Sequence, residues 1–137
     1  METAGYSKTP LAKKLGIKEG SSVIVMNQPK EYINFFHDFP ERVVFVDSKD
    51  VTEVDFVHLF VSTYDKLDQM LPKAKEHLKT DGILWISWPK KSSNLPSEIG
   101  KFDVLKSGLD IGLVDVKVAA IDHDWSGHKF VYRKTDR

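Results

Sequence analysis

Six residues near the ends of predicted strands have side chains suited to holding a small ligand. They are Asn27, Asp47, Trp88, Lys90, Lys91 and Trp125. The asparagine and aspartate offer short polar groups, the lysines offer positive charge, and the tryptophans offer flat apolar surfaces. Because the carboxyl ends of parallel strands meet at one edge of a sheet, we expect these residues to lie around one crevice there.

The two lysines follow a proline that ends a long apolar run, 81–89. Lysine acts as a point charge for a phosphate or carboxylate, and the hydroxyl and amide groups of 92–94 would add hydrogen bonds. The same pattern also fits an ordinary solvated loop after a strand. Within the run, Trp85 is predicted to fill the core, and Trp88, three residues on, faces the opposite side near the strand end.

A second polar group occupies 122–128, with two histidines, two aspartates, a serine and Trp125. Imidazole and carboxylate are suitable ligands for zinc, nickel or iron, but a tight hairpin turn points its side chains in divergent directions. A nucleophilic serine would need a strained turn such as G-x-S-x-G, which is absent. We therefore predict no metal site and no catalytic residue here. Trp125 is expected to cover the end of the core, and His58, within an apolar strand, is expected to be a hydrogen-bonded core residue.

The elements that position these residues alternate between strands and helices. Strands are predicted at 22–26, 42–47, 55–61, from 81 onwards, and as a hairpin at 113–121 and 129–133, with its turn at 122–128. Helices are predicted at 9–16, 31–39, 64–79 and 97–107. The first has Thr9 as N-cap and Gly16 as its stop, and the third has Ser62 or Thr63 as N-cap and either a kink or a restart at Pro72. In the fourth helix the candidate core residues are Ile99, Phe102, Val104 and Leu105.

The connector 48–54 is too short for a crossover helix. Either a strand pair present in larger α/β folds is deleted here, or the second and third strands form a local antiparallel pair. We favour the deletion.

Composition narrows the function classes. The chain has 137 residues, which predicts one domain over 1–137 with a flexible start at 1–8. Lys and Arg total 20 and Asp and Glu total 20, so the zero net charge gives no sign of a nucleic-acid partner. There is no cysteine for a thiolate metal site or nucleophile. No leader-like or membrane-spanning run occurs, so the predicted location is cytoplasmic, without a membrane partner.

This order of elements resembles class I methyltransferases that use S-adenosylmethionine, in which a parallel sheet is closed by an antiparallel final strand. The segments that carry the resemblance are 16–25, similar to the approach to the family's first strand, and 75–84, similar to its helix, turn and central strand. The resemblance implies an α/β three-layer sandwich with a mostly parallel, Rossmann-like sheet ending in an antiparallel hairpin. It also implies that Asp47 is the acid that binds the cofactor ribose.

The chain is also similar, over nearly its full length, to a group of small bacterial proteins without an assigned activity. The shared segments are 9–17, 84–90 and 122–127. This resemblance supports the same fold and adds no reaction.

One departure from the methyltransferase pattern governs the functional prediction. The turn 26–31 contains no glycine and has a proline, whereas close approach of a cofactor to the backbone calls for glycine. We therefore predict no cofactor, and a non-catalytic binding or interaction module that holds a small molecule or a protein at the sheet edge. The alternatives are a methyltransferase that binds S-adenosylmethionine through an altered loop, and a structural subunit of an oligomer.

Overall fold

The computed structural model describes residues 9–30, 32–49 and 53–137, and in these residues six strands form one sheet. The predicted flexible start at 1–8 and the middle of the 48–54 connector lie outside the described residues. The strands are β1 (Ser22–Met26), β2 (Val44–Phe45), β3 (Val54–Phe60), β4 (Leu78–Pro89), β5 (Leu113–Ala120) and β6 (Trp125–Tyr132). The helices are α1 (Leu11–Leu15), α2 (Tyr64–Glu76) and α3 (Lys101–Asp110), with short 3-10 turns at Tyr32–Phe35 and Lys134–Asp136.

The sheet order is β2-β1-β3-β4-β6-β5. The first four strands in this order are mutually parallel, and β6 runs antiparallel to both β4 and β5. The predicted α/β class with a mostly parallel sheet and an antiparallel closing hairpin is therefore confirmed. Since β2 and β3 lie on opposite sides of β1 and are both parallel to it, the alternative of a local β2–β3 antiparallel pair is wrong.

Helices cover both faces of the sheet. On one face α2 and α3 pack over the apolar side chains of β1, β3 and β4, and their buried residues include Leu67, Leu71 and Val104. On the other face α1 packs with the aromatic segment 32–39 over a smaller cluster centred on Trp85. Trp85 is fully buried, as predicted, and its indole Nε1 donates a hydrogen bond to the Leu15 carbonyl at 2.7 Å. The sheet is thus the middle of three layers.

Two helix termini test the capping predictions. Thr63 is the N-cap of α2, where its Oγ1 accepts a hydrogen bond from the Lys66 N–H at 3.1 Å, as predicted. The helix continues through Pro72 instead of restarting there. At α1 the N-cap is Pro10 and not Thr9, while Gly16 ends the helix at φ 97°, a left-handed conformation that favours glycine.

The predicted helix 31–39 is wrong over the residues described. Only the 3-10 turn Tyr32–Phe35 forms, and Glu31 lies outside the described residues. The Tyr32 ring packs against the Phe35 and Phe36 rings at centroid distances of 5.6 and 5.3 Å, and Phe36 packs against Phe39 at 5.0 Å. These rings pack together on the sheet face, so tertiary packing overrides the helical spacing of the sequence.

Other boundaries also shift. The predicted strand 42–47 shortens to Val44–Phe45, an edge strand whose two side chains are about half exposed. Helix α3 begins at Lys101, so Phe102 lies in its first turn with 77 % of its surface exposed and is not a core residue. Strand β6 begins at Trp125, which limits the hairpin turn to 121–124.

Asp55 fastens the amino-terminal edge of the sheet. Its carboxylate accepts hydrogen bonds from the Ser22 backbone N–H (2.9 Å) and hydroxyl (3.0 Å) and pairs with Lys79 Nζ at 2.9 Å. The backbone hydrogen bond from Ser22 is the main cause that lowers the pKa of Asp55.

Among the described helices, none combines the length and apolarity needed to cross a membrane.

Candidate functional site

The carboxyl ends of β1, β2, β3 and β4 meet at one edge of the sheet because these strands are parallel. The turn before β6 reaches the same edge, since Pro89 at the end of β4 is the register partner of Trp125. All six candidate residues therefore lie along one edge. They are Asn27, Asp47, Trp88, Lys90, Lys91 and Trp125. Their side chains do not all meet, and each is placed below.

Asn27 forms the turn that follows β1. Its φ of 57° is left-handed, a conformation that asparagine tolerates better than most residues with a Cβ. The side-chain Nδ2 donates a hydrogen bond to the Phe60 carbonyl at the end of β3, at 2.8 Å. Asn27 thus gives the turn a left-handed residue without glycine, and its hydrogen bond joins the ends of two neighbouring strands.

Asp47 follows β2 with an exposed side chain. Its Oδ1 accepts a hydrogen bond from the Lys49 backbone N–H at 2.9 Å, which fixes the carboxylate in a short turn. Register pairs Phe45, the last residue of β2, with Val23 of β1. Asp47 and the Asn27 turn thus follow two neighbouring parallel strands at the same edge of the sheet.

The two tryptophans lie on opposite faces of the sheet. Trp88 is 5 % exposed and belongs to the core beneath α2 and α3. Trp125 is partly buried and packs edge-on against Phe60, with the ring centroids 4.9 Å apart, on the face that carries α1. The structure therefore does not bring Trp88 and Trp125 together as the two walls of one stacking site.

Lys90 and Lys91 border a separate cleft beyond β4. The Lys90 backbone N–H donates to the Asp124 carbonyl at 2.7 Å, which ties the loop to the hairpin turn. The cleft has a volume of about 640 Å³, and its far side is the first turn of α3. Lys90 also affects Lys14 on α1: burial lowers the pKa of Lys14, and the positive charges of Lys117 and Lys90 lower it further.

The 121–124 turn is shaped by its aspartates. Asp122 Oδ1 accepts hydrogen bonds from the backbone N–H groups of Asp124 and Trp125, at 2.9 and 2.8 Å. Asp124 Oδ1 accepts from the Ser93 hydroxyl at 2.7 Å. His128 is not in the turn but in β6, where its Nε2 lies 3.4 Å from an Asp115 carboxylate oxygen. Within the described ranges, no group of three or more His, Asp or Glu residues is placed to hold a metal ion.

A buried polar chain crosses the face next to the Asn27 turn. The Tyr32 hydroxyl lies 2.9 Å from His58 Nδ1, and His58 Nε2 lies 2.8 Å from the Ser87 hydroxyl. All three residues are at most 1 % exposed, and burial lowers the pKa of His58 to about 3 and raises that of Tyr32. The imidazole is therefore neutral and fully hydrogen-bonded, as predicted for a core histidine. Its place in the core means that these bonds hold the aromatic segment on the sheet.

Sequence reasoning missed two contributors to the edge. Glu98 joins the cleft loop to the residues after β3: its N–H donates to the Ser62 carbonyl at 2.8 Å, and its Oε1 accepts from the Tyr64 N–H at 3.1 Å. Lys101 was expected inside a helix and instead begins α3 at the cleft. Gly100 before it, with Asp103 three residues later, is a recognisable start signal, and Asp103 accepts a hydrogen bond from the Gly100 N–H at 2.9 Å.

Comparison with known proteins identifies the fold. No protein-family model matches the chain, and no curated protein matches its sequence. Among solved structures, fibrillarin from Aeropyrum pernix, in complex with natively bound S-adenosylmethionine, aligns with a TM-score of 0.59 and 17 % identity over 88 % of this chain and 73 % of its own. This chain has a methyltransferase-like fold.

Two further structures agree. A methyltransferase from Aquifex aeolicus that depends on S-adenosylmethionine gives a TM-score of 0.58 at 15 % identity, over 88 % of this chain and 86 % of its own. The 1,6-didemethyltoxoflavin-N1-methyltransferase from Burkholderia thailandensis, with bound S-adenosylhomocysteine, gives 0.58 at 14 % identity, over 88 % and 73 %. At these identities the likeness establishes the fold.

These neighbours contradict the prediction of no cofactor, because two of them hold S-adenosylmethionine or S-adenosylhomocysteine on the fold that this chain shares. The prediction rested on the missing glycine in the turn 26–31. The structure adds that the turn after β1 adopts a left-handed conformation at Asn27 without glycine. The prediction is therefore wrong.

Proposed function

We propose that this chain is an S-adenosylmethionine-binding domain whose cofactor lies at the sheet edge formed by the ends of β1, β2 and β3. The observation that carries the proposal is the left-handed turn at Asn27, closed onto β3 by the hydrogen bond to the Phe60 carbonyl. A left-handed residue in this position is one of the features that glycine commonly supplies in such a loop, and here Asn27 supplies it.

The residues at this edge suit the polar parts of such a cofactor. The exposed Asp47 carboxylate is able to accept hydrogen bonds from ribose hydroxyls, which is the role implied by the methyltransferase resemblance. The hydrogen bond to Phe60 uses Nδ2 of Asn27, and among the described residues its Oδ1 remains available as an acceptor. When bound, S-adenosylmethionine would supply an activated methyl group, and the residues of this chain would hold and orient it.

Methyl transfer is a second candidate function. It is favoured by the 640 Å³ cleft, which gives room for an acceptor and whose Glu98 is hydrogen-bonded to Ser62 and Tyr64, directly after β3. A domain that binds the cofactor without transferring its methyl group would use the same edge of the sheet, and this cleft would then not hold a methyl acceptor.

Calorimetric titration with S-adenosylmethionine and S-adenosylhomocysteine tests the cofactor site. We expect binding of both, and a loss of about 10-fold or more in affinity for Asp47→Ala, since hydrogen bonds to a charged group contribute about 1.5–3 kcal/mol. The matched control is Asp68→Ala, which removes another exposed carboxylate, on α2, and should leave affinity unchanged.

Two results would count against the proposal. One is the absence of binding by a folded protein, and the other is equal affinity in the Asp47 and Asp68 variants. Formation of S-adenosylhomocysteine from S-adenosylmethionine in the presence of a small-molecule extract, with Asp47→Ala as the negative control, separates methyl transfer from binding alone.

A further inference from the structure

The cleft beyond β4 is a second site, distinct in position from the Asn27 turn. Its walls are the end of β4 at Pro89, the loop 90–100 and the first turn of α3. A volume of about 640 Å³ lies within the range of small-molecule sites. The loop is held at both ends, because the Lys90 N–H is bonded to Asp124 and the Glu98 N–H is bonded to Ser62. The cleft is therefore a fixed part of the fold.

Lysines outnumber acidic residues in the lining of this cleft. Lys90, Lys91 and Lys101 line it, and none of them takes part in an ion pair within the described residues. The two acidic residues of the lining are already engaged by backbone donors, Glu98 by the Tyr64 N–H and Asp103 by the Gly100 N–H. The lining thus carries three lysines and two carboxylates, a net charge of +1 in a chain whose total net charge is zero.

Apolar surface lies beside these charges. Phe102 is 77 % exposed in the first turn of α3, and Leu95 is 39 % exposed in the loop. The Lys101 ammonium lies 5.8 Å from the centroid of the Phe102 ring, so the cation and the aromatic face adjoin. A ligand that satisfies both features carries a negative group and an apolar or aromatic group within a small molecule.

We infer that the cleft lined by Lys90, Lys91, Lys101 and Phe102 binds a small organic anion, a carboxylate or a phosphate attached to an apolar or aromatic group. This inference goes beyond the proposed cofactor site and does not depend on it. Because Glu98 links the cleft loop to Ser62 and Tyr64, the anion would lie next to the residues that follow β3.

An NMR titration of the full chain with four probes tests the site. Three of them are benzoate, phenyl phosphate and benzamide, the neutral counterpart of benzoate. We expect both anions to shift the backbone amide signals of Ser93, Gly100 and Phe102, and benzamide to leave them unchanged. Binding should weaken as salt is added, because exposed charges are screened. Inorganic phosphate is the fourth probe, and it should bind more weakly than phenyl phosphate because it cannot use Phe102.

A charge-matched pair of variants isolates the lysines. The site variant is Lys90→Gln with Lys91→Gln and Lys101→Gln, and the control is Lys66→Gln with Lys73→Gln and Lys134→Gln, three exposed lysines outside the cleft. The site variant should lose about 10-fold in affinity for the anions, since each partly exposed ion pair contributes modestly and three add up. The control should stay within about twofold of the unsubstituted chain.

Each contrary result overturns a defined part of the inference. If neither anion shifts the cleft amides, or if both triple variants bind equally, the cleft is not an anion site. If inorganic phosphate binds as tightly as phenyl phosphate, the apolar part of the ligand is wrong. A separate titration with S-adenosylhomocysteine reports on the cofactor proposal alone, so failure of one proposal is distinguishable from failure of the other.

Discussion

Asn27 leaves β1 at φ 57°, where a side chain with a Cβ costs free energy that glycine does not. Its Nδ2 recovers part of this cost through the hydrogen bond to the Phe60 carbonyl. We therefore expect Asn27→Ala to lower the free energy of unfolding by about 2 kcal/mol, from the left-handed backbone and the lost hydrogen bond together. Asn27→Gly should cost about 1 kcal/mol less than alanine, because glycine adopts this conformation freely. Urea unfolding measures both.

Asn94 is the control for this comparison. It is exposed in the cleft loop and is not among the residues with positive φ, so alanine there should be at least as stable as glycine. Equal stability of Asn27→Gly and Asn27→Ala would show that the turn does not need the left-handed conformation.

Residue types alone predicted part of this site. The spacing of three residues correctly separated Trp85 and Trp88 onto opposite faces, and an apolar strand correctly predicted a hydrogen-bonded core role for His58. The role of Asn27 could not be predicted in the same way, because its hydrogen-bond partner, the Phe60 carbonyl, belongs to a residue 33 positions away in the sequence. The absence of glycine argues against a left-handed turn only when the turn also lacks asparagine and aspartate.

Helix α3 packs closely against the sheet at a glycine. Gly108 is buried against the Phe130 ring of β6, and a Cβ added at this position would overlap the ring atoms. Gly108→Ala should therefore lower the free energy of unfolding by about 1–3 kcal/mol through overpacking, despite the better helix propensity of alanine. Ser107→Ala, one residue earlier and only half-buried, tests propensity without the overlap and should be neutral or stabilising. Urea unfolding of the two variants decides, and a stabilised Gly108→Ala would contradict the close packing of α3 on β6.

A helix or strand was predicted correctly where its local sequence signals favour the same conformation as its packing in the fold. The α2 helix has an N-cap at Thr63 and an apolar face against the sheet, and both signals are in its sequence. The aromatic segment 32–39 has helical spacing as well, but Tyr32 is held by His58 on β3, a distant residue. Packing of its rings on the sheet stabilises this segment more than a regular helix would. A short stretch of sequence does not show which of the two conformations is more stable.

At the scale of the whole molecule, the hydrophobic patterns of the strands predicted most of the sheet. Continuous apolar runs predicted buried parallel strands, and the alternating pattern near the carboxyl terminus predicted the antiparallel hairpin. The position of β2 beyond β1 was not fixed by these patterns, because a two-residue edge strand carries almost no periodicity. The same arrangement places ionisable groups in the core between the sheet and its covering layers, which makes stability depend on pH.

His58 dominates that dependence. Burial lowers its pKa from 6.5 to about 3, so between these values the unfolded chain binds more protons than the folded chain. The free energy of unfolding should therefore fall as the pH is lowered through this range, by about 2 kcal/mol between pH 7 and pH 5 from His58 alone. Burial also lowers the pKa of His128, against the opposing effect of Asp115, and this acts in the same direction. The hydrogen bonds to Asp55, whose pKa is lowered too, add a loss at still lower pH.

Urea unfolding at pH 7 and pH 5, compared between the unsubstituted chain and His58→Gln, isolates this contribution. The variant is expected to be less stable at pH 7, where Tyr32 and Ser87 lose their partner, but to show a smaller decrease in stability on acidification. If the variant proves too unstable to fold, the imidazole signal of His58 in the unsubstituted chain gives the same information. It should stay constant from pH 8 to pH 5, and a titration of that signal near the ordinary histidine value would mean that His58 is open to water, so that the Tyr32–His58–Ser87 chain does not hold the aromatic segment closed.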